Sequence, residues 1–393
     1  QDILDTQGEI GVQIGNALTE TENIKSLVTN NQVVTNVDFG SYKESTSTQI
    51  TEQAEDIKSR GIKVEQFIPN ITETEDKWDW RAAILNAVNY AHVNKITKVI
   101  FPAKDIIIRQ QLEISNLEQT TIEMSKSKIT FSSNSSSNQG ALSAIIFRNL
   151  SDCVVTEAYL DIEVNEQQYN GIQVINSKRT RFIKPKVLNA TWVGFSIYDN
   201  GEITSEDIVL DDPVLEYCRY GLLEHGLRTV VNRGFISNHW SESLEAKVQG
   251  EKPIWTEESK FWDGVIVRGR DWEFNKTVIK DNGQSGIYSG QTVGGSLNGV
   301  IIEGNWNKGV DFGATKTDVS SIREVTIDGS CVIRNNRTGD VHLYNTDYVT
   351  ILPGAIIERT DNTYDDYDKY SQACIILNSD SAHNNISEVI VNQ

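Results

Sequence analysis

No run of about 18 consecutive apolar residues occurs in this chain of 393 residues, so hydropathy identifies no membrane-spanning helix. Basic charge is in deficit: 36 Lys and Arg stand against 55 Asp and Glu, a formal net charge of -19. Nucleic acid and anionic membranes both require a basic face, so neither a nucleic-acid partner nor membrane insertion is expected. Cysteine is sparse. Cys153, Cys218, Cys331 and Cys374 lie 65, 113 and 43 residues apart without a C-x-x-C pair, which indicates neither a zinc site nor a disulfide framework and leaves them as buried apolar fillers. Also missing are G-x-x-x-x-G-K-[ST], H-E-x-x-H and the EF-hand loop, so no nucleotide, metal or other cofactor is implied.

What the chain does contain is one phrase that keeps returning: Gly171-Ile172-Gln173-Val174, Gly194-Phe195-Ser196-Ile197, Gly221-Leu222-Leu223-Glu224, Gly264-Val265-Ile266-Val267, Gly286-Ile287-Tyr288-Ser289 and Gly309-Val310-Asp311-Phe312, with a weaker copy at Asp340-Val341-His342-Leu343. Successive starts are 23, 27, 43, 22, 23 and 31 residues apart, and a solenoid coil takes about 20 to 30. Each phrase is a Gly turn followed by apolar, variable and apolar residues, the period of a strand that buries alternate side chains. Further short strands, such as Phe182-Ile183, Ile208-Val209-Leu210, Val278-Ile279 and Val300-Ile301-Ile302, close on Asn, Gly and Asp turns. Two or three short strands per turn describe an all-β parallel β-helix. A leucine-rich repeat or a propeller would need consensus spacings that are missing. An ordinary sandwich is the alternative, disfavoured because the in-phase return of Gly-aliphatic stacks one column every ~4.8 Å.

Residues 1-64 read differently. Ile3, Ile10, Ala17 and Ile24 share one heptad position, and Ile14 and Val28, with polar Gln7 and Thr21, the other. Gly8, Gly11 and Gly15 each cost about 1 kcal/mol of helix propensity in that seam. One such helix would not stand alone, so a helical stalk in an oligomer is expected, with an amphipathic helix packed on a neighbour as the equal alternative. A polar linker from Asn30 to Ser47 and a helix bearing Ile50, Ala54 and Ile57, stopped by Gly61, follow. Because Gln1 opens the sequence and Val389 to Val391 reads as a strand with no capping segment after it, a fragment of a longer protein is expected.

Trp78 to Ala91 is the strongest helix in the chain, and Lys98-Val99-Ile100-Phe101-Pro102-Ala103-Lys104-Asp105-Ile106-Ile107-Ile108 and a strand at Leu112 to Ile114 come after it. An acidic residue, a helix, then V-x-F-P-x-G-x-Y and an aliphatic strand resembles the entry to the pectate-lyase-like right-handed parallel β-helix of phage tailspikes and polysaccharide-degrading enzymes. The chain departs from the pattern at Lys104-Asp105-Ile106, where Gly-x-Tyr is usual, and at Asp79-Trp80, where Asp-Thr is common. An amphipathic helix here would cover the open end of the solenoid and protect its edge strands. The resemblance implies residues 65-393 as the β-helix, with a capping helix at 76-92. It also implies a homotrimer held to other phage tail proteins on the virion tail, with a bacterial surface polysaccharide as partner. Members of such a fold cleave different glycans by hydrolysis or by lyase elimination, so fold alone leaves the chemistry open.

The 43-residue interval is about 20 residues longer than a coil needs, and its excess forms an inserted loop at 238-263. Solenoid insertions emerge on one face, often the binding face. This one carries Trp240, Trp255, Phe261 and Trp262, which suit sugar contact or packing of the loop. From Arg219 to Lys280 ten Lys and Arg meet nine Asp and Glu, so an anionic polymer would be repelled less here than elsewhere.

Aligning the phrases on their Gly predicts outward columns. Two residues on stand Gln173, Ser196, Leu223, Ile266, Tyr288, Asp311 and His342; four on stand Ile175, Tyr198, His225, Arg268, Gly290, Gly313 and Tyr344. Tyr198, His225 and Arg268 would then be ~5 Å apart on successive rungs, with a bare trough beyond. Glycoside hydrolysis needs two carboxylates, and the candidates for catalysis are Glu224, Asp263 and Asp311, with His225. The loop acids Glu242 and Glu245 are further candidates. Tyr198, Arg268, Trp240, Trp255, Trp262 and Tyr288 are the candidates for substrate binding. Elimination from a uronic acid, or phosphodiester cleavage of teichoic acid, would instead use the His, Tyr and Arg side chains. A binding fibre without catalysis is the alternative from another class. Asp211-Asp212 before Glu224-His225-Gly226 and Arg228 mimics polygalacturonase spacing, but lacks the Asn-x-Asp and Arg-x-Lys elements and is set aside as coincidence.

Overall fold

The computed structural model describes residues 60-67, 78-125, 127-132, 142-163, 169-198, 203-239, 262-313, 322-358, 374-377, 384-386 and 390-392. The expected stalk and linker, Trp240, Glu242, Glu245, Trp255 and Phe261 lie outside the described residues. Among those described, the strands form three parallel sheets of 13, 10 and 11 strands, and each strand pairs with its counterpart one coil away. One coil gives each sheet a strand: Arg181–Ile183 to the thirteen-stranded sheet, Lys186–Leu188 to the eleven-stranded and Val193–Ile197 to the ten-stranded. This is a parallel β-helix.

The recurring phrase is the ten-stranded sheet. Ile172, Phe195, Leu222, Val265, Ile287, Val310 and Val341 are Cα partners in one unbroken register. In the first six of these coils the residue ahead of the apolar one is Gly, because its backbone lies against the next coil. A Cβ on Gly171 would meet the Gly194 carbonyl oxygen at 2.4 Å, and one on Gly221 that of Gly264 at 2.5 Å. Val174, Ile197, Val267 and Phe312, three residues after the Gly, form the expected buried column, each at most 1% exposed. Inside, Phe147, Phe182 and Phe195 meet edge to face at 5.2 Å between successive rings, tying two sheets together. All four cysteines are free and buried, the filler role expected of them.

Corners turn on residues with positive φ, many of them Asn and Asp, whose short polar side chains tolerate that region. At Asn149 and Asn176, φ 54° and 47°, the amides also stack: each donates to the Asn one coil earlier, at 2.9 and 2.7 Å. A buried ladder runs Asn282, Asn305, Asn336, Asp340, with amide donors 2.7–2.8 Å from the next acceptor.

The end cap is helix α1, Arg81–Asn94, which buries Ala83, Ile84, Ala87, Val88 and Ala91 and stops at Lys95 in the left-handed region, φ 54°. It begins five residues later than the expected 76. Asp79 is instead held in a bridge to Ile107, and its carboxylate accepts the Arg81 N–H at 3.1 Å. The helix packs on Leu112–Ser115, the terminal strand of the ten-stranded sheet. Sheet pairing also starts three residues earlier than expected, at Ile62–Lys63 against Val99 and Ile100.

Candidate active site

The outer face of the ten-stranded sheet gathers the chemistry. Register puts Ile266, Tyr288, Asp311 and His342 in one column, and the residues just before the glycines, Tyr220, Asp263, Ser285 and Lys308, in another beside it. Asp311 is held from two sides: its two carboxylate oxygens take His342 Nδ1 at 2.7 Å and Lys308 Nζ at 3.1 Å. Burial pulls the Asp311 pKa up, but these two partners outweigh it, and the carboxyl is held below its ordinary value.

Asp263 behaves oppositely. It accepts one backbone N–H, from Ser285 at 3.0 Å, and is 4% exposed. Burial, reinforced by the charge of Asp311, pushes its pKa to about 8, against weaker opposition from Ser285 and Lys308. Burial first, then both carboxylates, raise the Tyr288 pKa in the rung between them. Two acids on one face are thus driven apart in proton affinity.

Glu224 corrects the sequence expectation. It falls in the inward column of Val174, Ile197 and Val267, is 0% exposed, and cannot reach a substrate on the outer face. Its two oxygens accept the N–H of Gly226 at 2.7 Å and of Gly269 at 3.1 Å. These are the residues directly after His225 and Arg268, so the carboxylate fastens the backbone of both from inside. Gly269 must be glycine, since a Cβ would lie 2.4 and 2.5 Å from the Glu224 oxygens. Burial raises the Glu224 pKa to about 7 despite those two bonds.

Tyr198 and His225 do stack as the column predicted, with ring centroids 5.6 Å apart at 26°. Arg268 follows on the next rung and is exposed. Burial, then the Arg268 charge, lowers the His225 pKa. Beyond them Gly313 faces open space, a Cβ there meeting only Asp311 Oδ1, at 3.7 Å. Trp262 is not free for a ligand to stack on as expected: the Arg219 guanidinium lies 3.4 Å from its ring centroid, and Tyr220 meets it edge-on at 4.9 Å. Sequence reading missed Lys308, Arg219 and Trp192; extending the alignment one and two positions before each Gly would have found all three, since Lys308 directly precedes Gly309 while Arg219 and Trp192 stand two before Gly221 and Gly194. Among the described residues no group of three His, Cys, Asp or Glu side chains is arranged to hold a metal ion.

No family model matches the chain. One curated relative, a tail spike protein of Salmonella phage epsilon15, is 33% identical over 140 residues, which is 33% of this chain and 12% of that protein. Among solved structures, the Dettilon tailspike protein superposes with a TM-score of 0.66 at 16% identity, over 84% of this chain and 62% of its own. The chain has the parallel β-helix fold of the phage tailspikes. A tailspike protein variant of E. coli bacteriophage HK620 (TM-score 0.55, 12% identity, 86% and 64% of the two chains) has this β-helix too. So does a mannuronan C-5 epimerase A-module of Azotobacter vinelandii (0.54, 13%, 84% and 97%).

Proposed function

We propose that this chain is the β-helix part of a tailspike that binds a bacterial surface polysaccharide from the virion tail and cuts it, by glycoside hydrolysis. The observation that carries the reading is the pair Asp263 and Asp311, whose environments move their proton affinities in opposite directions. Such divergence is how an acid and a base coexist at one pH. Asp263 donates its proton to the leaving glycosidic oxygen. Asp311, ionised, takes a proton from the water whose oxygen bonds to the anomeric carbon. The two rung steps from Asp263 to Asp311 amount to roughly 9.6 Å along the axis, wider than the ~5–5.5 Å at which the second carboxylate would act as nucleophile, which favours the water-using, inverting arrangement. Tyr288, in the intervening rung, and Arg268 line the path, and the trough at Gly290 and Gly313 admits the sugar ring.

Incubating the protein with purified capsule or wall polysaccharide and weighing the products tests this: each cut adds one water, and the Asp263→Asn variant makes product at least about 100-fold more slowly. An unsaturated product absorbing in the near ultraviolet would replace the reading with lyase elimination, which one observation favours, a His225 whose pKa is lowered by burial and then by the neighbouring Arg268 charge. No product from any glycan that the protein binds would make it a receptor-recognising fibre. Assembly follows the same reading: a homotrimer joined to other tail proteins, for which light scattering at micromolar concentration would have to give three times 44.0 kDa.

A further inference from the structure

The same face holds a cation with no acid partner among the described residues. Arg219 lies between two indoles, 3.4 Å from the ring centroid of Trp262 and 4.3 Å from that of Trp192. Many of the solenoid's other arginines have acids: Arg148 with Glu113, Arg179 with Asp152, Arg228 with Asp207, Arg233 with Asp212 and Arg334 with Glu303. Arg219 has no such pair among the described residues. Its Nε is enclosed without an acceptor, as is the Trp262 indole N–H beside it. Burial lowers its pKa, as happens when a guanidinium loses water and gains no anion in return.

Location gives the cation a use. Trp262 is the residue before Asp263, and Tyr220, the residue after Arg219, feels the charges of Asp263, Arg219 and Arg268 together. Arg268 is exposed and likewise has no acid partner among the described residues. A guanidinium stacked on indoles is held flat, and its outer edge can meet two oxygens of a carboxylate or phosphate at once. Stacking also supplies the apolar wall and cation-π contact that keep a desolvated arginine in place.

We infer that Arg219, clamped between Trp192 and Trp262 beside Asp263, is the anion-holding part of a glycan subsite, and that the polymer taken by this face carries carboxylate or phosphate groups. The inference rests on the reading of this face as a glycan site. A chain with a net charge of -19 would repel such a polymer everywhere except where unpaired cations are concentrated, and Arg219 with Arg268 is such a place.

The test uses the full chain and simple probes, so that it does not depend on knowing the natural glycan. Glucuronate, glucose 6-phosphate and glucose are titrated by calorimetry and by tryptophan fluorescence, to which Trp192 and Trp262 contribute among the chain's eight tryptophans. The two anions bind and glucose does not at equal concentration; binding of one anion alone identifies which group is read. Arg219→Gln weakens anion binding about tenfold or more, as loss of a charge-assisted contact does, and Arg219→Lys recovers only part because it lacks the planar stack. Glucose binding as well as glucuronate overturns the inference even if every variant misfolds, and so does an Arg219→Gln protein that binds glucuronate like the parent. Asp263→Asn separates the two readings. Retained turnover in that variant, with Arg219-dependent anion binding intact, removes the acid and leaves the subsite. Turnover that depends on Asp263, but with Arg219→Gln affecting acidic and carboxyl-reduced glycan alike, removes the subsite and leaves the acid.

Discussion

Two charged regions of this solenoid are built from the same residue types and do different things. At the corners, Arg179, Arg228 and Arg233 each grip an Asp one coil earlier, at 2.6–2.8 Å, and the result is a closed strip of exposed ion pairs. On the ten-stranded face, among the described residues, Asp263 is buried with no cation bonded to it, and Arg219 is stacked without an acid. Where charges are matched and exposed, they guide the chain and contribute little. Where they are mismatched, and in Asp263 buried as well, the fold maintains them at a cost, and such groups concentrate at working sites. Glu224 shows that mismatch alone is insufficient, because a buried acid can also face inward and serve the backbone.

The comparison can be broken most severely from inside. Val267→Asp would add to the Glu224 column a carboxylate with no waiting N–H donors, and is expected to cost about 3–5 kcal/mol, the range for an uncompensated buried charge. Urea unfolding measures it, and parental stability would mean that the column does not face the core.

Next come the face acids. Asp263→Asn and Asp311→Asn should each lower turnover at least about 100-fold with glycan binding kept, as removal of a positioned proton donor or acceptor does. Because Asp263 titrates at about 8, parental activity should fall as pH rises past that value. Because Asp311 is ionised below the ordinary carboxylate range, activity should persist into mild acid. A profile without an alkaline limb near 8 would take the proton-donor role from Asp263.

Glu224 sharpens the inward half of the comparison. Its folded pKa of about 7 exceeds the ordinary 4.5, so the native state holds its proton more tightly than the unfolded chain does. Its contribution is therefore favourable below about pH 4.5 and is lost as pH rises to about 7, a swing of about 3 kcal/mol for a shift of that size. Glu224→Gln should flatten that part of the stability profile; an unchanged slope would show that another group titrates there. At the small end, Arg179→Ala should leave the melting temperature within experimental scatter at physiological salt, since its partner Asp152 is exposed and screened.

Much of this was readable in the residues. Register follows from period-two burial plus a glycine that nothing larger can replace, so aligning phrases on Gly placed Val174, Ile197, Val267 and Phe312 together, and Tyr198 over His225. The same counting assigns Glu224 to the inward column. Its acidic side chain invited a surface role because two backbone donors supplied by Gly226 and Gly269, from different coils, leave no local trace. Trp262 failed as a free sugar platform for a related reason: its partner Arg219 lies 43 residues away, and nothing local to either residue announces the stack. Helix α1 started late because Asp79 and Trp80 are held by strand contacts that propensity does not see.

The unbroken register has a consequence for how such a chain can change over generations. Removing one residue from a strand of the ten-stranded sheet would exchange inside for outside along that strand, and would drive side chains into the carbonyls that now crowd Gly171 and Gly221. Removing an entire coil would bring each survivor against a neighbour of the same kind. Length is therefore quantised: this body can gain or lose reach along its axis in whole coils, carrying every column with it, whereas single-residue indels are confined to the segments between strands.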